Sequence, residues 1–219
     1  MSYIHGYDPD TLREITDSRE CQERLDEIGS QRSLHALLER VWLLKVLDRF
    51  DEALSISEQS VRVARMAGTR RDLLRARILH ATIMQCRGAY AAAEQELTMC
   101  AEEAEGQGWA SIAAFALQHR GKVHYDEGDY EGARRDFKQA LFLRQNAGAT
   151  DAQLESTLLA IDAAERRRTR PALLAPARPR DGGMPRPATA PRSGTTCARA
   201  GANSRPGAGS GSWCCSSPC

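Results

Sequence analysis

Aromatic residues are scarce in this chain, at 5% of 219 positions, so a core has to come from aliphatic side chains and alanine. That suits closely packed helices better than a sheet, because β-branched and aromatic residues are the strand formers. Proline is absent from residues 10–169, which leaves the long helical patterns there unbroken. No run approaches the roughly 18 uninterrupted apolar residues that a membrane span requires. Met1 to Asp10 lacks the basic and apolar regions of a signal peptide, and Asp8 and Asp10 arrive early. The expected location is therefore the cytoplasm, with no membrane role.

Chemistry-bearing constellations are also missing. His119 and His124 are five residues apart and share no helix face as a metal pair would. Glu102, Glu103 and Glu105 read as a wet helix face. There is no phosphate-binding glycine loop, and no Ser or Cys carries a nucleophile motif. The expectation is a protein that is not an enzyme and needs no cofactor and no metal. Cys21, Cys86 and Cys100 stand alone within helical patterns, where a free thiol behaves as a small hydrophobe. Cys197, Cys214, Cys215 and Cys219 follow near the C-terminus, and the odd total of seven reads as reduced thiols.

The net charge of +1 hides an asymmetry. Residues 1–165 carry a net −8, and residues 166–219 a net +9 with no lysine. An acidic body argues against a nucleic-acid platform. From Arg170 onward eight of the nine prolines appear among Ala, Arg, Gly and Ser. Residues 169–219 therefore read as a disordered basic tail, or as sequence out of its proper frame. The end from Trp213 to Cys219 favours the second reading.

What the sequence does contain is a period. Phe50, Tyr90 and Tyr130 recur every 40 residues, as do Ala53, Ala93 and Ala133. The same step links Gly68, Gly108 and Gly148, then Ala36, Ala76 and Ala116, then Leu34, Leu74, Ala114 and Leu154. Five series in one register define units of about 30–69, 70–109 and 110–149. Each reads as two helices, roughly Gln31–Leu47 and Phe50–Ala67, Asp72–Arg87 and Tyr90–Gly106, Ser111–Glu127 and Tyr130–Ala147. Gly88 and Gly128 occupy the turn inside units two and three, with Asp48 at that place in unit one. Gly68, Gly108 and Gly148 fall where a left-handed residue ends a helix. Thr150 to Gln153 reads as a capping box opening a terminal helix over 150–168, striped by Leu154, Leu158 and Ile161. Asp8-Pro9 reads as a helix start, which predicts an N-terminal capping helix within residues 1–29 that buries Leu12, Ile15, Leu25 and Ile28.

Unit three, from Leu117 to Ala140, resembles a tetratricopeptide repeat, with Gly121, Gly128, Tyr130, Ala133, Phe137 and Ala140 at that family's packing positions. Unit two matches with Ala81, Gly88, Tyr90, Ala93, Leu97 and Cys100. Unit one keeps Val41, Asp48, Phe50 and Ala53, but Ser57 and Ser60 replace apolar residues. The 40-residue step exceeds the usual 34 and is similar to long-step variants in kinesin light chains and in sensor domains of bacterial regulators. The resemblance implies an all-α, right-handed α-solenoid with capping helices. It further implies a concave groove lined by first helices. By family spacing that lining is His35, Leu38, Trp42 and Lys45, then Arg75, Ile78, Thr82 and Gln85, then Phe115, Gln118, Lys122 and Tyr125. The Lys/Asn/Lys/Arg carboxylate clamp of chaperone-binding members is not reproduced. With Lys45, Arg75 and Lys122 on an acidic body, the expected role is a scaffold holding a partner protein or an extended, acidic peptide. A regulatory sensor module and a self-assembly element are the alternatives.

Overall fold

The computed structural model describes residues 4–169. The chain divides into units of residues 1–174 and 175–219, and the second unit lies outside the described residues together with all that is expected of the basic tail.

Two short strands come first, β1 (Ile4–Tyr7) and β2 (Glu14–Thr16), paired antiparallel. Eight helices follow: α1 (Ser18–Ile28), α2 (Leu34–Val46), α3 (Phe50–Ala67), α4 (Arg70–Cys86), α5 (Tyr90–Gly106), α6 (Ala110–Glu127), α7 (Tyr130–Asn146) and α8 (Asp151–Thr169). Each helix packs on the one before and the one after it, and α4 also touches both α2 and α6. This is the helical repeat the 40-residue period predicts.

The invariant alanines explain the close pairing. Ala53, Ala93 and Ala133 are fully buried, each three residues after an aromatic that opens its helix. A larger side chain there would hold the paired backbones apart. The core forms three successive clusters. Leu25, Val41 and Leu44 centre the first, Leu74, Leu97 and Leu117 the second, and Phe137 with Tyr125 and Ile161 the third. Ser57 and Ser60, in place of apolar residues, are both buried and both satisfied: Ser57 Oγ donates to the Leu54 carbonyl at 2.7 Å, Ser60 Oγ to the Ser57 carbonyl at 2.7 Å. Cys21 and Cys100 are buried free thiols, and burial pushes Cys100 up to about 12, so it acts as a hydrophobe. The Thr150–Gln153 box forms as expected, with reciprocal bonds of 3.2 and 3.4 Å.

Four expectations are overturned. In the terminal helix Leu158, expected in the apolar stripe, is 52% exposed, and Thr157, Ala160 and Ile161 are among the residues buried there. The helix from Asp8-Pro9 does not form. Asp8 Oδ1 instead accepts from the Asp10 and Thr11 amides at 2.8 Å each, closing a turn, and Leu12 takes a left-handed φ of 58°. The same capping chemistry that starts a helix also makes an Asx turn; here the flanking segments pair as strands and only residues 18–28 are helical. Ile15, expected in the core, is 50% exposed, because strand alternation in β2 turns it outward while its neighbours Glu14 and Thr16 are partly buried. Finally, Gly68 is not left-handed, at φ −90° and ψ 169°. The Thr69–Asp72 capping box starts α4 at once, so the chain leaves α3 extended. A Cβ at Gly68 would come within 2.8 Å of the Ala64 carbonyl oxygen, so the glycine is required for closeness rather than for hand.

Candidate functional site

The first helices α2, α4 and α6 lie side by side, and the face they share is not open. The β-hairpin of residues 4–16 lies on it. Lys45 Nζ, from the last turn of α2, donates to Glu14 Oε1 at 2.9 Å, and Lys122 Nζ, from α6, stands 3.7 Å from the same oxygen. Lys122 also lies 5.6 Å from the centre of the Tyr7 ring. Tyr125 donates its hydroxyl to the Asp10 carbonyl at 3.0 Å, and Leu12 enters the third core cluster beside Tyr125 and Phe137.

Burial works against the Glu14 charge, yet the Lys122 and Lys45 ammonium groups outweigh it and hold this carboxyl well below the usual range. Burial lowers Lys122, Glu14 opposes that, and Lys45 adds to it. His119 behind them is buried, and desolvation with the two lysines keeps its imidazole neutral. Its Nδ1 meets Thr82 Oγ1 at 3.1 Å.

The twelve predicted groove residues divide into groups. Trp42, Lys45, Phe115, Gln118 and Lys122 line a cavity of about 260 Å³ between the helices and the hairpin, closed from the other side by Tyr7, Leu12 and Glu14. Gln118 is 5% exposed, and its Oε1 has no hydrogen-bond partner among the described residues. Thr82 and Gln85 join Lys45 and Lys122 around a smaller space of about 170 Å³ under Thr11 and Arg13. Gln85 Nε2 donates to Asp126 at 2.9 Å. Leu38, Arg75 and Phe115 line a third space of about 410 Å³, beyond the hairpin.

Three residues do not line these cavities, although Tyr125 still meets the hairpin tip through its hydroxyl. Ile78 is fully buried in the second core cluster, Tyr125 is 6% exposed, and the His35 side chain is 89% exposed on the first turn of α2, 3.9 Å from Glu39. Equal spacing from unit to unit does not yield equal exposure, because neighbours of different size cover each position.

Arg144 is a residue that repeat spacing misses. It belongs to α7, a second helix, yet it is 8% exposed and borders both larger cavities. Its Nη1 donates to the Gln153 carbonyl at 2.7 Å, to Ser156 Oγ at 3.4 Å and to Thr157 Oγ1, all neutral oxygens. Glu14, Tyr7 and Leu12 are also missed. Their signal was present as Tyr and Ile residues flanking an Asp-Pro-Asp turn, a hairpin pattern.

His124 lies half-buried among carboxylates at the junction of α5, α6 and α7. Glu94, His124 and Glu127 bring one potential ligand atom each within 4.8 Å of one another, so a metal ion could be held there. The same imidazole is 3.6 Å from Asp136 and 3.7 Å from Asp129, and Asp136 in turn takes a bidentate pair from Arg120 at 2.7 and 2.8 Å. Structural ion pairing accounts for this cluster without a ligand. No helix of the described residues is long and apolar enough to cross a membrane.

No family model and no curated protein matches this chain. Among solved structures the chain is similar to the crystal structure of BtubC (BKLC) from P. vanneervenii, at 17% identity over 77% of this chain and 80% of that one. The TM-score of 0.46 is too low for that likeness to bear on function.

Proposed function

We propose that this protein is an interaction module of the tetratricopeptide kind, a right-handed helical solenoid whose first helices form a concave groove for an extended, carboxylate-bearing segment of a partner protein. It is a binding protein of the cytoplasm, not an enzyme. One observation carries the reading: the face of α2, α4 and α6 holds polypeptide, with a carboxylate seated between Lys45 and Lys122. The unpartnered Gln118 carbonyl supports it, since an extended backbone supplies N–H donors and a buried acceptor without one is costly. Arg75, 54% exposed beside the 410 Å³ space and 3.8 Å from Asp72, is a cation on this face that the hairpin leaves accessible.

The test is selection of displayed random peptides on the full chain, followed by titration of the selected sequences. Acidic peptides should be enriched. Arg75→Glu should weaken their binding more than about tenfold, as loss of a charged hydrogen bond worth about 1.5–3 kcal/mol implies. Arg62→Glu, on second helix α3, should leave it unchanged. Equal effects of the two substitutions, or no enrichment of acidic sequences, would refute the groove.

A further inference from the structure

The hairpin that covers the first-helix face is built as a poor fit, and its misfit describes a better occupant. We propose that residues 4–16 are a displaceable internal ligand, and that the face takes in their place an acidic segment of a partner protein with an aliphatic residue and a carboxylate in Leu-x-Glu spacing. This rests on the interaction reading above.

The docked segment shows the spacing. Leu12 is 2% exposed, Arg13 points to solvent, the Glu14 side chain is 11% exposed between two lysines, and Ile15 turns outward. Recognition thus lies on one side of the segment, with Leu12 at the end of the turn, at φ 58°, and Glu14 opening β2. The apolar socket for the first residue is made by Tyr125, Phe137 and Ala160, and that for the second by Lys45 and Lys122.

Several features hold the hairpin less firmly than a structural element. A two-stranded hairpin has little stability of its own, so residues 4–16 stay folded only while docked. Leu12 carries its side chain at φ 58°, a conformation that L residues other than glycine adopt with strain. The tip is held by one ordinary bond, from Tyr125 to the Asp10 carbonyl at 3.0 Å, and from α8 by long contacts of 3.4 Å, Arg166 to the Pro9 carbonyl and Arg167 to the Asp10 carbonyl. Beneath it lie the 260 Å³ cavity and the unpartnered Gln118 carbonyl.

The charges around that cavity do not balance. Lys45, Lys122 and Arg144 face it with Glu14 as the carboxylate, while His119 is neutral and burial, with Glu14, raises Tyr7 so that its phenol stays neutral. A segment bringing a second carboxylate towards Arg144 would match three cations better than the hairpin does. The hairpin holds the site because it is tethered. A short tether gives an effective concentration of the order of millimolar, which a weak external ligand cannot overcome.

The experiment uses the full chain and a fluorescein-labelled synthetic peptide of residues 8–17 as probe. Glu14→Lys places a third ammonium beside Lys45 and Lys122 and should eject the hairpin. The folded variant is expected to bind the probe at least tenfold more tightly than the unaltered chain does, and to reject the same peptide carrying Lys for Glu. A variant with native helicity that binds the probe no better than the unaltered chain overturns the proposal. If the variant does not fold, amide exchange of the unaltered chain decides. The Leu12 amide, bonded to the Asp8 carbonyl at 2.8 Å, should then exchange at least tenfold faster than amides in the middle of α6. Exchange at the α6 rate would show that the hairpin opens only with the whole fold, and would overturn the proposal. Arg75-dependent binding of selected peptides stands or falls separately, so failure here leaves the interaction reading intact.

Discussion

Gly121→Ala should destabilise this protein, although the same exchange in an exposed helix would stabilise it. Gly121 lies in α6 against the ring of Phe137 in α7. A Cβ at Gly121 would sit 2.5 Å from Phe137 Cε1, 2.7 Å from Cδ1 and 3.0 Å from Cζ. Ordinary contact begins at 3.4 Å, so the ring must retreat by most of an ångström. Phe137 is fully buried among Tyr125, Ala133 and Ala160, so its retreat must displace packed neighbours. Helix propensity favours alanine by about 0.8–1.0 kcal/mol. Overpacking a filled core costs about 1–3 kcal/mol, and this gap is at the severe end. The net expectation is a loss of about 1–2 kcal/mol, which lowers the melting midpoint by several degrees in a domain of this size. Urea denaturation followed by circular dichroism measures it, and the pair Gly121→Ala with Phe137→Leu completes a double-mutant cycle. The smaller side chain makes room for the methyl, so the two changes should couple by at least about 1 kcal/mol. A stabilised Gly121→Ala protein, or a cycle without coupling, would refute the packing argument.

The close pairing of helices makes a sharper contrast between adjacent positions. Ala93→Leu, at a fully buried site, should cost about 1–3 kcal/mol, whereas Ala92→Leu, exposed one residue earlier, should stay within about 0.5 kcal/mol; equal denaturation midpoints would contradict the register. Asp48 has φ 56° where Gly88 and Gly128 have 80° and 88°, so Asp48→Gly should raise stability by up to about 1 kcal/mol in the same assay; its 3.9 Å exposed pair with Arg13 is too weak to reverse the sign. Burial, then Lys122 and Lys45, hold folded His119 well below its ordinary range, while the unfolded chain takes up that proton near pH 6.5. Acid therefore favours the unfolded state. This contribution is fully present above about pH 7 and is lost as pH falls through 6.5, by up to about 1.4 kcal/mol per pH unit. His119→Gln should flatten denaturation stability between about pH 7 and 5; an unchanged slope would show that His119 is protonated in the folded protein.

The sequence by itself determined the repeat. The spacing of Phe50, Tyr90 and Tyr130, and of Ala53, Ala93 and Ala133, located six helices to within a few residues, because helix pairing depends on local periodicity and on small residues at fixed contacts. The terminal helix was legible from Thr150 and Gln153, whose reciprocal bonds span only one turn. Residues 4–16 were decided by tertiary structure. Asp8 closes a turn that serves a helix and a hairpin equally well, and what selects the hairpin is contact with distant residues: Glu14 with Lys45 and Lys122, Leu12 with Phe137, Asp10 with Tyr125. The candidate site follows the same division. Sequence placed cations and aromatics on the first helices, but whether a side chain faces a cavity, the core or solvent depends on what lies across from it. Ile78 and His35 left the predicted lining, Tyr125 turned to the hairpin tip and Arg144 joined the cavity, because burial is a property of the packed neighbours and not of the spacing along the chain.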